Sequence, residues 1–183
     1  MRATLLSLAA LAALAACSKP ATNTANAATN TSAAAPAAAN TAAPAAPASA
    51  AVSGTFTVNG KAAALTEATA HKGDPFFDKP IIDVVLTEKT QAGSDKPAED
   101  AIFGNFGDAL VAHIEEDGTL TGVELVHAGR KDAQGSISVA GPIKMADFKS
   151  EGGQISGRLT TDGPIDLFDN KVDINVTFHT KWP

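Results

Sequence analysis

The 183-residue chain contains one cysteine, Cys17, and that scarcity excludes several chemistries at once. There is no second thiol for an intrachain disulfide, no thiol nucleophile beyond the N-terminal region and no cysteine-based zinc site. Charge is also missing over a long stretch, since Pro20 to Val52 holds no Asp, Glu, Lys or Arg. Elsewhere basic residues are outnumbered. All twenty Asp and Glu lie between Glu67 and Asp173, and twelve of the fourteen Lys and Arg lie between Lys61 and Lys181. This acidic excess argues against DNA or RNA as a partner, because nucleic-acid affinity rests on Lys and Arg meeting phosphates. It equally disfavours a basic membrane-surface patch. The chain has no Gly-x-Ser-x-Gly elbow, no phosphate-cradling glycine loop and no His-Glu-x-x-His motif. No enzyme class and no cofactor is indicated.

Met1 and Arg2 begin the chain as a short positive segment, and Leu5 to Ala16 is apolar apart from Ser7. The run has the layout of a secretory signal and is too short to remain as a spanning helix. Leu14-Ala15-Ala16-Cys17 resembles the bacterial lipobox. The resemblance implies cleavage after residue 16 and acylation of Cys17, so that several acyl chains anchor the protein firmly to a membrane. Ser18 follows, where many lipoproteins kept at the inner membrane carry Asp, so the resemblance favours the outer membrane, facing the periplasm.

Pro20 to Val52 is 33 residues, 17 of them alanine. Pro36, Pro44 and Pro47 interrupt any helix, the Asn and Thr side chains compete for backbone hydrogen bonds, and no apolar periodicity exists to bury. The segment reads as a disordered linker, roughly 30 Å across as a flexible coil. The chain therefore divides into a signal peptide (1–16), a lipidated cysteine with its linker (17–52) and one folded domain (53–183).

That domain reads as antiparallel β structure. Thr55 to Val58 alternates and meets Asn59-Gly60, a strong hairpin signal, with a return expected from Lys61 to Ala70. Ile81 to Leu86 is an apolar strand broken by Asp83. Ala109 to Glu115 and Thr119 to Ala128 flank Asp117-Gly118 as a second hairpin. Ser136 to Val139 and Gln154 to Thr160 are further strands. In the last strand Val172, Ile174, Val176 and Phe178 share one face. Only Pro97 to Phe103 looks helical, with Asp95 or Ser94 as cap and Gly104 as stop. Seven or eight short strands make a sandwich or a small barrel with one short helix.

Across that domain the chain resembles a family of small bacterial lipoprotein and periplasmic domains without an assigned activity. The likeness rests on Ser53 to Lys61, Asp74-Pro75-Phe76-Phe77, Val85 to Lys89, Gly157 to Thr160 and Asp173 to Phe178. These are strand and turn patterns, so the resemblance implies a fold and no active site.

Several residues could carry chemistry. If Asp117-Gly118 is a two-residue turn, His113 lies opposite Gly122 and His127 opposite Asp108, on opposite faces of the hairpin. His127 then points inward with Asp108 as its partner, while His113, Glu115 and Glu124 gather on the other face, where they could bind a metal. A three-residue turn would shift the register and dissolve both groups. Asp162, Asp166, Asp169 and Asn170 offer calcium-compatible oxygens without EF-hand spacing. His71, Asp74 and Asp78 form a weaker set. Phe76 and Phe77 are adjacent, and an exposed phenylalanine can anchor a partner. The expectation is a noncatalytic binding or accessory module, tethered by Cys17, whose partner is an envelope protein or the cell wall. The alternatives are a small-ligand carrier and a small hydrolase using His127 and Asp108.

Overall fold

The computed structural model describes residues 51–132 and 135–183. The alternating run near the start forms β1 (Val52–Val58), and Asn59 and Gly60 turn it back with φ of 53° and 78°. The return is much shorter than Lys61 to Ala70. Within that stretch only β2 (Lys61–Ala62) pairs with β1, and β3 (Glu67–Lys72) belongs to a second sheet. Ala63 and Leu65 pack on the core at the crossing, and Ala68 and Ala70 continue that packing from β3.

The remaining elements are β4 (Ile81–Thr87), α1 (Pro97–Ile102), β5 (Ala109–Glu115), β6 (Leu120–Val126), β7 (Ile137–Val139), β8 (Lys144–Glu151), β9 (Gln154–Thr160), β10 (Ile165–Leu167) and β11 (Asn170–Lys181). One sheet runs β2-β1-β11-β9-β8, with β10 also on β11; the other is a meander, β3-β4-β5-β6-β7. The two sheets pack as a sandwich around one apolar core. Two strands lack a sequence signal. β8 is an exposed edge whose ladder with β9 shifts between Ala146 and Lys149, which breaks the alternation, and β10 has three residues.

Alternation decides what is buried. Val172, Ile174, Val176 and Phe178 of β11 are at most 2% exposed and meet Phe56, Leu86, Leu110 and Leu125. Each such side chain removed from water contributes about 1.5–3 kcal/mol. The helix begins at Pro97 as expected, but neither Asp95 nor Ser94 is its cap. Lys96 is the N-cap and has no side-chain cap bond, while Ser94 Oγ accepts from the Lys96 N–H at 3.1 Å and donates to Asp100 at 2.6 Å. Pro97 takes the first turn, and Gly104 follows the end with φ of 79°.

The β5–β6 hairpin departs from a two-residue turn. Glu115 N–H donates to Thr119 at 2.9 Å, leaving Glu116, Asp117 and Gly118 in the loop. A bulge at Thr121 then shifts the ladder between Ile114 and His113, and the Thr121 hydroxyl donates to the His113 carbonyl at 3.0 Å. Beyond the bulge His113 lies opposite Gly122 and Ala109 opposite Val126. The longer loop does not dissolve the expected pairings, because the bulge offsets it.

Candidate functional site

In β4 the alternation sends Ile82, Val84 and Leu86 into the sandwich, and sends Asp83 and Val85 to the outer face of the second sheet. The helix covers half of that face. Ala101 of α1 packs with Val85, Ala109 and Val111. The other half holds a polar row, because the strand registers align His71 with Asp83, Asp83 with His113 and His113 with Gly122. An open groove of about 1100 Å³ lies over this row, bounded by residues 71–76 on one side and 95–103 on the other. Phe76 and Phe103 line it while remaining 49% and 69% exposed.

Hydrogen bonds set the orientation of both imidazoles. His113 Nδ1 donates to Asp83 Oδ1 at 2.7 Å, so its Nε2 carries the lone pair in the neutral ring. The orientation of His71 follows from a longer relay. Buried Gln91 donates through Nε2 to the Val85 carbonyl at 3.1 Å and to Thr87 Oγ1 at 3.0 Å, which leaves its Oε1 as acceptor. The Thr69 hydroxyl donates to that oxygen at 2.6 Å, so it accepts from His71 Nε2 at 2.8 Å. In neutral His71 the lone pair therefore sits on Nδ1.

Asp83 is seated where Gly73 has no side chain. A Cβ at Gly73 would stand 2.6–2.9 Å from the Asp83 carboxyl atoms. The hydrogen bond that His113 donates to Asp83 raises the pKa of His113 above its ordinary 6.5, against the opposing effect of burial. His71 is shifted the other way: its burial lowers it, although the Asp83 charge opposes.

The inner face of the same hairpin carries the second pair. His127 lies with Leu110, Leu125 and Phe56, and its side chain is 0% exposed. Phe56 meets it edge to face with ring centres 4.8 Å apart. Its Nδ1 accepts from the Gly129 N–H at 2.7 Å, so the proton of the neutral ring is on Nε2. That nitrogen has no hydrogen-bond partner among the described residues, and Asp108 Oδ2 is 3.7 Å away. Asp108 instead accepts from the Ala128 N–H at 2.7 Å, tying the hairpin's open end. Burial lowers the pKa of His127, more than the Asp108 charge raises it.

Other expected site residues fall differently. His113, Glu115 and Glu124 do not form a metal site: Asp83 takes His113, and Glu115 pairs with Lys79 at 2.7 Å. Asp162, Asp166, Asp169 and Asn170 do not converge. Asp162 pairs with Lys144 at 2.7 Å, Asp166 with Lys171 at 3.2 Å, and Asp169 sits in a turn with φ of 63°. Buried Asn170 accepts from Asn59 and from Lys131 N–H, both at 2.9 Å. Among the described residues no three His, Cys, Asp or Glu side chains are placed to hold a metal ion.

Phe77, 85% exposed with φ of 47°, caps a tight turn in which Phe76 and Lys79 exchange backbone bonds at 3.0 Å. Its ring meets that of Phe76 at 4.5 Å. Of the His71, Asp74 and Asp78 set, the first two line the groove and Asp78 stays in that turn. Asp83 was readable only as a charge interrupting an apolar strand, and Phe103 only as the end of a helix. Cys17, the signal and most of the linker lie outside the described residues. Comparison of the chain with protein-family models, curated proteins and solved structures found no match.

Proposed function

We propose that the chain is a lipid-anchored envelope module that binds a ligand without transforming it, using the groove on the outer face of the second sheet. In this reading Cys17 is acylated and held at the outer membrane, and the uncharged linker lets the domain reach a periplasmic partner. One observation carries the binding role: a half-covered sheet face with a fixed His-Asp-His row beneath a rim of exposed phenylalanines. Binding sites commonly combine apolar walls with a few oriented polar groups, and this groove has both. The interior carries less support for a carrier, since Phe56, Phe178, Leu86 and Leu125 fill the space between the sheets. The sealed side chain of His127 likewise gives a hydrolase no reacting atom that substrate can reach.

A photocrosslinking residue placed at Phe76, at Phe103 and, as a control, at Thr177 on the exposed face of β11 tests the assignment in intact cells. Discrete adducts are expected from the two groove positions and not from the control. Equal adducts from all three, or none from any, would overturn it. The mass of the mature N-terminus checks the anchor, with an acylated Cys17 as the expected first residue.

General-base catalysis is a second reading with one observation in its favour, the His113 ring oriented by Asp83 with a free Nε2 lone pair. Of the two hydroxyls lining the groove, that of Thr121 is spent on the His113 carbonyl, which leaves Ser138. Turnover of an envelope substrate that disappears in Asp83→Asn would favour this reading over binding.

A further inference from the structure

We propose that the groove takes an organic cation, an ammonium or guanidinium group on a flexible aliphatic chain. This rests on the reading of the groove as a binding site and adds the chemistry of what it binds. With both imidazoles neutral, the polar row accepts hydrogen bonds. His113 has spent its proton on Asp83, and His71 has spent its proton on Thr69, so His113 Nε2 and His71 Nδ1 are lone pairs in the neutral rings. Asp83 adds a carboxylate that can only accept, and the Thr121 hydroxyl proton is already given to a backbone carbonyl. A ligand matching this row must bring donors, and ammonium and guanidinium groups are donors with no acceptor.

Charge points the same way. Asp74, Asp83, Asp95 and Glu99 line the groove against Lys72 and Lys96, and Lys96 is held by Glu99 at 2.7 Å. Asp74 and Asp95 are in no ion pair among the described residues. The excess extends beyond the lining. From Glu67 to Glu124 there are thirteen Asp and Glu against four Lys, whereas from Leu125 to Pro183 there are seven against seven Lys and Arg. The rim completes the match, since a cation over a phenylalanine face is attracted by the ring's quadrupole. Phe76 and Phe103 offer such faces, and their apolar surface suits the aliphatic chain. A groove of about 1100 Å³ is larger than a single ammonium needs, so the ligand is an extended one.

Two sources share this chemistry, a free polyamine and the side chains of a basic peptide. The processed full chain in detergent micelles is titrated with spermidine and, separately, with trilysine, while NMR follows the His71 and His113 rings and the Gly122 amide. Octanediol and glutarate serve as the uncharged and the anionic comparison. Saturable shifts are expected with a cation: spermidine alone identifies the polyamine source, trilysine alone the peptide, and either supports the proposal. Added salt should weaken binding. Phe103→Ala and Asp95→Asn, both at exposed positions, should each weaken it about threefold. Saturation by octanediol or glutarate at equal or lower concentration would overturn the cation assignment. If neither cation saturates while Phe76 and Phe103 still crosslink in cells, the cation assignment falls and the binding reading stands. Loss of both signals removes both.

Discussion

The β5–β6 hairpin presents two histidines, each beside a carboxylate (Asp83 of the neighbouring β4 for His113), and the two pairs differ in almost every respect except composition. On the inner face His127 and Asp108 are 3.7 Å apart, the ring is sealed from solvent, and both groups are held mainly by backbone N–H donors. On the outer face His113 and Asp83 are 2.7 Å apart, with side chains 31% and 14% exposed, and they bond to each other. Burial outweighs charge in the first pair and lowers its histidine; the hydrogen bond outweighs burial in the second and raises its own. The inner pair therefore acts as part of the core. The outer pair is an oriented group facing a groove.

That contrast can be broken most severely by truncation. His127→Ala empties a fully buried ring site and should lower stability by about 3 kcal/mol, whereas His113→Ala should change it by less than about 1 kcal/mol, both read from urea unfolding midpoints. Equal losses would abolish the distinction. Asp108→Ala removes the acceptor of the Ala128 N–H and should lower stability by about 2 kcal/mol.

Gly73→Ala tests the seat of the outer carboxylate. The added methyl displaces Asp83, at a cost of about 1 kcal/mol, and the His113 pKa followed by NMR should fall toward 6.5. An unchanged His113 titration would show that the carboxylate had found another seat with the same bond.

The smallest effect is a pair of opposed pH slopes. A raised histidine stabilises fully below its ordinary value of 6.5, and that contribution is lost as pH rises through the folded-state value. A lowered histidine contributes above 6.5 and loses that contribution as pH falls toward its folded-state value. The stability gap between wild type and His113→Gln should therefore widen on acidification from neutral pH. The corresponding gap for His127→Gln should narrow. Slopes of the same sign would mean that the two histidines share an environment. His71, lowered by burial, adds to the His127 slope in wild type and cancels from each difference.

Much of the fold could be read from alternation and turns. The four apolar residues of β11 and the Asn59-Gly60 turn behave as their spacing requires, and His127 and His113 do fall on opposite faces. The groove was less accessible for a physical reason: it depends on which residue of β3 meets which residue of β4. The connection between them, Gly73 to Pro80, contains a turn with left-handed Phe77 and Asp78, a conformation that Asp tolerates but Phe does not advertise. Without that register, His71 and Asp83 are merely a loop-proximal histidine and an odd charge in a strand. The helix itself was expected, but nothing in its sequence says that it covers half of this face or which strands it lies across. The unequal charge of the two halves of the chain was open to inspection from the start.

The bulge at Thr121 has a consequence for how the hairpin tolerates change. A strand ladder is a parity system in which each added or missing residue exchanges inside for outside. The three-residue loop introduces an odd count, and Thr121 supplies the second odd count that cancels it. The hairpin tip is thereby insulated from its body, so that loop length and side-chain sidedness are separately adjustable. Deleting Thr121 alone would remove the bulge and still leave Gly122 opposite His113, and only a further contraction of the tip to a two-residue turn would bring Gly122 and Glu124 toward the core and His127 toward solvent. The pairing of Gly122 with His113 is thus what keeps one histidine sealed and the other on the groove floor, and a length change confined to the loop leaves it in place.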